Sequence, residues 1–185
     1  SVAMKYIWKT AYIHLDMDAF FAAVEQRDRP EFLKKAIVIT SNPNSPTIIA
    51  ASYEAKKIGV KVGDKVSKWP RIPRVSANLK KYKQVSHHIM QVINKEVGDR
   101  FEIFSIDEVF IDASTYIHMF ESEEVCLSTL QNIIYQHTSL TCSIGLAENL
   151  SLAKMASQEN KPNGLLVIPP NTGKAFLANR PIHEL

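Results

Sequence analysis

The chain has 185 residues, 45% of them hydrophobic, which is enough for one domain with an inserted lobe and for a sizeable core. Its 22 lysines and arginines against 19 aspartates and glutamates give a formal net charge of +3, which excludes a strongly polybasic nucleic-acid-binding protein. No apolar run approaches the roughly 18 residues of a membrane-spanning helix, so a transmembrane protein is excluded and no membrane partner is expected.

Short apolar runs alternate with turn residues in the first part of the chain. The β-prone run at residues 12–16 predicts a first strand, and residues 19–27 predict a helix that stops near Pro30. Prolines and asparagines at 41–46 indicate a hairpin turn. The other elements predicted here are hairpin strands at 36–40 and 47–51, a short helix at 53–58 and an irregular basic segment at 63–73.

Helical spacing is clearest from Tyr82 onward. Apolar residues recur at helical intervals up to Val97, which predicts an amphipathic helix that ends at Gly98. The elements predicted after it are strands at 101–104 and 109–112, a helix around 125–134, a strand at 140–146, a short helix at 150–158 and a strand at 165–168.

The order of these elements predicts an α+β fold. The predicted order is strand, insertion, helix, strand, strand, helix, strand. Apart from the insertion, this is the order of the ferredoxin-like split βαβ fold, an antiparallel sheet with two helices on one face. Residues 21–77 are extra to it and are expected to form a second lobe. We also expect the first strand to be central and to neighbour the strand that follows the first helix of the sheet.

Acidic residues gather at two predicted strand ends. Asp16 and Asp18 end the first strand, Asp107 and Glu108 join the two strands of the central hairpin, and Asp112 follows four residues later. Solvated strand ends are the ordinary explanation of such acids, but apolar residues flank both sites, where a bare carboxylate is costly. Carboxylates that converge need a cation, and oxygen ligands favour Mg²⁺ or Mn²⁺. A pair of such ions about 4 Å apart is the arrangement used for phosphoryl transfer.

Four segments resemble motifs of the Y-family DNA polymerases, especially the bacterial DinB branch. Residues 12–25 (YIHLDMDAFFAAVE) resemble the opening motif, and residues 105–108 (SIDE) the second catalytic motif. Residues 52–60 (SYEAKKIGV) resemble the fingers motif, and residues 161–164 (KPNG) a late palm motif. Because the motifs occur in the family's order across most of the chain, coincidence is a poor explanation.

The resemblance implies template-directed, low-fidelity translesion DNA synthesis with two Mg²⁺ ions, or Mn²⁺ in their place. Asp16, Asp107 and Glu108 would be the catalytic metal-binding carboxylates, with the Met17 carbonyl as a further ligand. Phe21 would be the steric gate that excludes a ribose 2′-OH. The residues implied to contact the nucleotide are Phe20, Phe21, Tyr53, Lys56 and Lys161.

The same resemblance divides the chain into palm (1–20), fingers (21–77), palm again (78–170) and the start of a truncated thumb (171–185). It implies primer–template DNA and dNTP as partners, and a sliding clamp bound through a missing C-terminal region. A bacterial cytoplasmic, nucleoid-associated protein is expected. By itself, such a palm-plus-fingers fragment is expected to be weakly active or inactive.

Two other functions stay open at this stage. One is a different palm-fold nucleotidyl-transfer enzyme such as a nucleotidyl cyclase, which the insertion with Tyr53 and Lys56 argues against. The other is an inactive polymerase-like accessory protein that binds DNA, which the intact carboxylates argue against.

Lys56 replaces the more common arginine of the fingers motif and so loses a bidentate contact. We expect His14 to be a packed or hydrogen-bonded core residue rather than a metal ligand.

Overall fold

The computed structural model describes residues 4–180. This part of the chain forms two compact units. The larger unit comprises the described residues of Ser1–Asp18 and His88–Leu185, and the smaller unit comprises Ala19–His87. The end of the predicted thumb segment, residues 181–185, lies outside the described residues. Within residues 4–180, no helix combines the length and apolar character needed to cross a membrane.

The bounds of the elements follow most of the sequence pattern. The strands are β1 (Tyr12–Met17), β2 (Val38–Thr40), β3 (Ile48–Ala51), β4 (Arg74–Ser76), β5 (Phe101–Ser105), β6 (Glu108–Asp112), β7 (Cys142–Ala147) and β8 (Leu165–Val167). The helices are α1 (Phe20–Asp28), α2 (Tyr53–Lys57), α3 (Leu79–Val97), α4 (Glu123–Thr138), α5 (Leu150–Glu159) and α6 (Gly173–Ala178).

The sheet of the larger unit has the order β5-β6-β1-β7-β8 among the described residues. Strand β1 is central and antiparallel to both β6 and β7, which confirms the predicted α+β, ferredoxin-like arrangement. Strand β8 extends the sheet by pairing in parallel with β7. One expectation was wrong: β1 neighbours β6, not β5, the first strand after α3. The connection from β1 to β5 through α3 leaves room for one strand between them. The tight turn after β5 then folds β6 back into that position.

The two faces of β1 differ, because successive side chains on a strand point to opposite faces. Ile13 and Leu15 are buried in the core on one face. His14 and Asp16 lie on the other face, where both hydrogen-bond side chains of α5. Helix α5 can approach this face because β7 has glycine at position 145. A Cβ there would lie 2.3 Å from the carbonyl oxygen of Ala153.

The sheet of the smaller unit has the order β3-β2-β4. The predicted hairpin is confirmed, since β2 and β3 are antiparallel. Strand β4 pairs in parallel with β2 and was not predicted, because its three residues follow a proline-broken segment and carry little periodicity. The unit also holds a buried polar contact, in which the Tyr82 hydroxyl donates to Oε2 of Glu25 over 2.6 Å.

Candidate active site

The sheet register brings three acidic residues to one end of β1. Asp16 pairs with Glu108 in the register of β1 and β6. The next backbone N–H, that of Met17, donates to the carbonyl oxygen of Asp107 over 2.9 Å. Asp112 pairs instead with Tyr12, at the opposite end of the strand. The structure therefore groups Asp16, Asp107 and Glu108 and leaves Asp112 out.

Ser105 connects the two carboxyl groups of the hairpin. Its hydroxyl oxygen lies 3.0 Å from Oδ1 of Asp107 and 2.9 Å from Oε2 of Glu108. Burial raises the pKa of Asp107, and the negative charge of Asp16 raises it further, while the contact with Ser105 opposes the rise. Negative charge is therefore unfavourable at Asp107, and an added cation there would stabilise the ionised carboxylate.

His14 supports this cluster from within the core. The side chain is fully buried, with Nε2 lying 3.1 Å from Oε1 of Glu108 and Nδ1 hydrogen-bonded to the hydroxyl of Ser157. Burial lowers the pKa of His14, although the charges of Asp16 and Glu108 act in the opposite direction. The expectation of a hydrogen-bonded core histidine is confirmed.

Lys161 is the cation that the structure places between the two aspartates of the first motif. Its Nζ lies 3.4 Å from Oδ2 of Asp16 and 3.3 Å from Oδ1 of Asp18. The motif at 161–164 thus lies at the carboxylate cluster, and its role in phosphate binding stays a prediction. Helix α5 adds a neutral donor, since Nε2 of Gln158 donates to Asp16 over 2.8 Å.

Several of these neighbours were missed by sequence reasoning. Lys154 lies 3.8 Å from Oε1 of Glu108, and its ammonium is 4.7 Å from the ring centroid of Phe104. Ser157 and Gln158 reach the site from the last turns of α5. Only the packing of α5 on β1 brings them there. Ser105 alone had a signal, because it stands within the SIDE motif.

The donor set suits a hard divalent cation. Carboxylate and backbone carbonyl oxygens are the ligands of Mg²⁺ and Mn²⁺. The Lys161 ammonium also lies beside Asp16 and provides positive charge there. Across residues 4–180, no three His, Cys, Asp or Glu side chains are already arranged as a metal-binding group.

The other implied nucleotide contacts belong to the smaller unit. Phe20 is buried in its core, at 4% exposure. Phe21 is half-buried and stacks on Tyr82, with 4.4 Å between ring centroids and 18° between planes. The Lys56 ammonium lies 5.0 Å from the ring centroid of Tyr53. Their roles toward a nucleotide stay predictions.

Solved structures with the same architecture are Y-family DNA polymerases. A Y-family DNA polymerase chimera matches 95% of this chain and 53% of its own with a TM-score of 0.84 and 33% identity. The DinB crystal structure from Sulfolobus solfataricus has the same coverage, a TM-score of 0.83 and 32% identity. An insertion ternary complex of Dbh DNA polymerase reaches a TM-score of 0.85, also with 32% identity and the same coverage. The fold is therefore the palm and fingers fold of that polymerase class.

Sequence comparison assigns the family. The model of the impB/mucB/samB family matches residues 15–158, so the chain belongs to this family. A DNA polymerase IV of Listeria monocytogenes serotype 4b is 36% identical over 175 residues, 92% of this chain and 49% of the relative. A DNA polymerase IV of Clostridium perfringens is 35% identical over 92% of this chain and 48% of its own length. The chain spans about half the length of these relatives.

Proposed function

We propose that this chain carries the catalytic part of a template-directed DNA polymerase of the low-fidelity translesion type. The reaction joins the primer 3′-oxygen to the α-phosphorus of a dNTP, and the bond to the leaving pyrophosphate breaks. The names of the relatives support it. The observation that carries it is the convergence of Asp16, Asp107 and Glu108 at one end of β1, with Lys161 beside Asp16.

The proposed metal ligands are the carboxylates of Asp16, Asp107 and Glu108 and the carbonyl of Met17. Mg²⁺ bound there, as two ions and with Mn²⁺ as an alternative, would activate the primer hydroxyl and neutralise charge on the leaving pyrophosphate. The protein's own part is to hold these oxygens in place. Ser105 and His14 orient the hairpin carboxylates, and burial under α5 keeps bulk water from His14.

We propose that two lysines bind the negatively charged triphosphate. Lys161 is held at the carboxylate cluster, and Lys56 and Tyr53 lie together on α2 of the smaller unit, which we propose to be the fingers. Cations at these positions would stabilise negative charge on the phosphoryl oxygens as it builds up. Phe21, supported by its stacking on Tyr82, is the proposed steric gate, with Phe20 behind it in the core.

The predicted domain assignment is part of the same proposal. We keep the palm at residues 1–20 and 78–170, the fingers at 21–77 and the start of a thumb from 171 onward. The two compact units divide the chain slightly differently, since residues 19–20 and 78–87 belong to the smaller unit. Primer–template DNA and dNTP are the proposed partners. We also propose, by analogy with the bacterial relatives, a sliding clamp as a partner and a cytoplasmic, nucleoid-associated location.

Single-nucleotide insertion tests the function. The 185-residue chain is held in large excess over a labelled primer–template, with dNTP and Mg²⁺, so that a weak grip on DNA does not limit the measurement. We expect template-dependent extension that is abolished by Asp107→Asn. The matched control is Asp112→Asn, an equally small acid-to-amide change at the other end of the sheet. Equal extension by the Asp107 variant would refute the site, and DNA binding without any extension would favour the accessory protein.

A further inference from the structure

Asp18 is an acidic residue of the first motif that the proposed metal set does not use. Its side chain is almost completely buried, at 3% exposure. The hydroxyls of Thr141 and Ser143 each donate to it over 2.7 Å, one to each carboxylate oxygen. The backbone N–H of Asn163 donates to the same oxygen as Thr141, also over 2.7 Å. Charged groups are buried only when they are paired and hydrogen-bonded, so this carboxylate is held tightly in one position.

The Lys161 ammonium is shared between this buried aspartate and the more accessible Asp16. The two distances are nearly equal, at 3.3 Å to Asp18 and 3.4 Å to Asp16. The neighbours differ, because three short hydrogen bonds fix Asp18, whereas Asp16 is at the accessible cluster where we place a metal ion. A divalent cation bound to Asp16 would repel the ammonium from that contact and leave Asp18 as its anchor.

The backbone after Lys161 is anchored at the same place. The N–H of Gly164 donates to the Ser143 hydroxyl over 3.2 Å, and Gln131 of α4 donates to the Gly164 carbonyl over 2.7 Å. A Cβ at Gly164 would lie 2.1 Å from the carbonyl oxygen of Asn160, so the segment packs without room for a side chain. The Lys161 side chain therefore starts from a fixed backbone and ends at a fixed carboxylate.

We propose that Asp18 is a positioning residue for the triphosphate. Asp18 holds the Lys161 ammonium directly, and through its hydrogen bond with Asn163 it also holds the segment that carries Lys161. When a cation binds Asp16, the ammonium stays at Asp18, where it receives the phosphates of an incoming dNTP. The inference rests on the proposed function, and it explains why a buried carboxylate stands two residues after a metal ligand. Asp18 acts through Lys161 and touches neither substrate nor metal.

A double-mutant cycle on dATP binding tests this inference without requiring turnover. The affinity of the 185-residue chain for dATP with Mg²⁺, and for dAMP as a probe lacking the β- and γ-phosphates, is measured by calorimetry for the unmodified chain, D18N, K161A and the double variant. We expect D18N to weaken dATP binding about tenfold or more, as the loss of a charged hydrogen-bonding partner does, and dAMP binding much less. In the K161A background, D18N should have little further effect, because its influence passes through Lys161.

Each other outcome has a definite meaning. Losses that add in the double variant, or that fall equally on dATP and dAMP, would mean a general structural role and would overturn the inference alone. If the unmodified chain does not bind dATP, or if K161A leaves its dATP affinity unchanged, the proposed function falls together with the inference. D112N is the control and should bind dATP normally. If D18N does not fold, T141V removes one hydrogen bond to Asp18, and its smaller loss must likewise disappear in the K161A background.

Discussion

The imidazole of His14 and the carboxylate of Glu108 form a hydrogen-bonding pair inside the sheet, with 3.1 Å between Nε2 and Oε1. The pair links the core of the larger unit to the accessible carboxylate cluster. The other ring nitrogen, Nδ1, is hydrogen-bonded to the hydroxyl of Ser157 on α5. The ring therefore cannot turn away from Glu108 without breaking this second hydrogen bond.

This pair leads to the first prediction. His14→Phe should retain the packing volume but leave Glu108 without its buried donor. Loss of the hydrogen-bonding partner of a metal ligand typically costs about 10–100-fold in metal affinity or activity. We therefore expect the Mg²⁺ concentration for half-maximal insertion to rise by about tenfold or more. His14→Gln, which keeps a donor, should recover part of the loss. The control is His87→Ala, an exposed histidine on α3; an unaltered Mg²⁺ dependence of His14→Phe would contradict the role.

The steric gate gives the second prediction. Phe21→Ala should raise the ratio of ribonucleotide to deoxyribonucleotide insertion by about tenfold or more, because the aromatic wall proposed to meet a 2′-OH is removed. Phe21→Tyr should keep the ratio low, since the ring and its stacking on Tyr82 remain. The measurement is single-nucleotide insertion of ATP against dATP opposite template thymine. An unchanged ratio would assign Phe21 to packing only.

The third prediction concerns the close approach of α5 to the sheet. Gly145→Ala places a methyl group where the backbone of Ala153 and Ser157 lies, at 2.3 and 2.4 Å, so the helix must move outward. Overpacking of this kind costs about 1–3 kcal/mol in the free energy of unfolding, and the shift also draws Ser157 and Gln158 from the site. Denaturant unfolding and the insertion assay check both effects. Ser151→Ala, exposed on the same helix, should alter neither.

The fourth prediction concerns Glu123, a buried carboxylate that is not among the proposed site residues. Glu123 is buried at the start of α4 and accepts hydrogen bonds from Nε1 of Trp8 and from the backbone N–H groups of Lys5 and Tyr6. Burial by itself raises the pKa of Glu123, but these hydrogen bonds outweigh it and hold the pKa below the usual 4.5. Glu123→Gln should therefore lower the free energy of unfolding by about 1.5–3 kcal/mol at neutral pH.

The sign of the pH dependence follows from the lowered pKa. The ionised carboxylate contributes its full stabilisation above pH 4.5, and the contribution is lost as the pH falls through the folded-state pKa. The difference between the unmodified chain and Glu123→Gln should thus be constant near neutrality and shrink below pH 4.5. The neighbouring Glu124→Gln is the control, because its partner Lys5 is exposed and 3.7 Å away, and such pairs contribute little. A pH-independent difference would contradict this account.

Local patterns were sufficient to predict most of the elements and to select candidate carboxylates. Apolar periodicity indicated α3 and the strands β1 and β6, and the two acidic motifs within apolar runs singled out Asp16, Asp107 and Glu108. Such signals lie within a few residues of each other, where backbone geometry dictates the spacing. The short strand β4 escaped notice because three residues contain too little pattern to be recognised.

Packing between distant segments settled what local patterns could not. That β6 rather than β5 neighbours β1 depends on how the hairpin folds back beside the crossover, which involves strands about 90 residues apart in the chain. The contacts of Asp18 with Thr141, Ser143 and Asn163 likewise join the end of β1 to segments more than 120 residues later. Burial and hydrogen bonding are properties of the assembled sheet, so the division between an accessible Asp16 and a buried Asp18 exists only once the chain has folded.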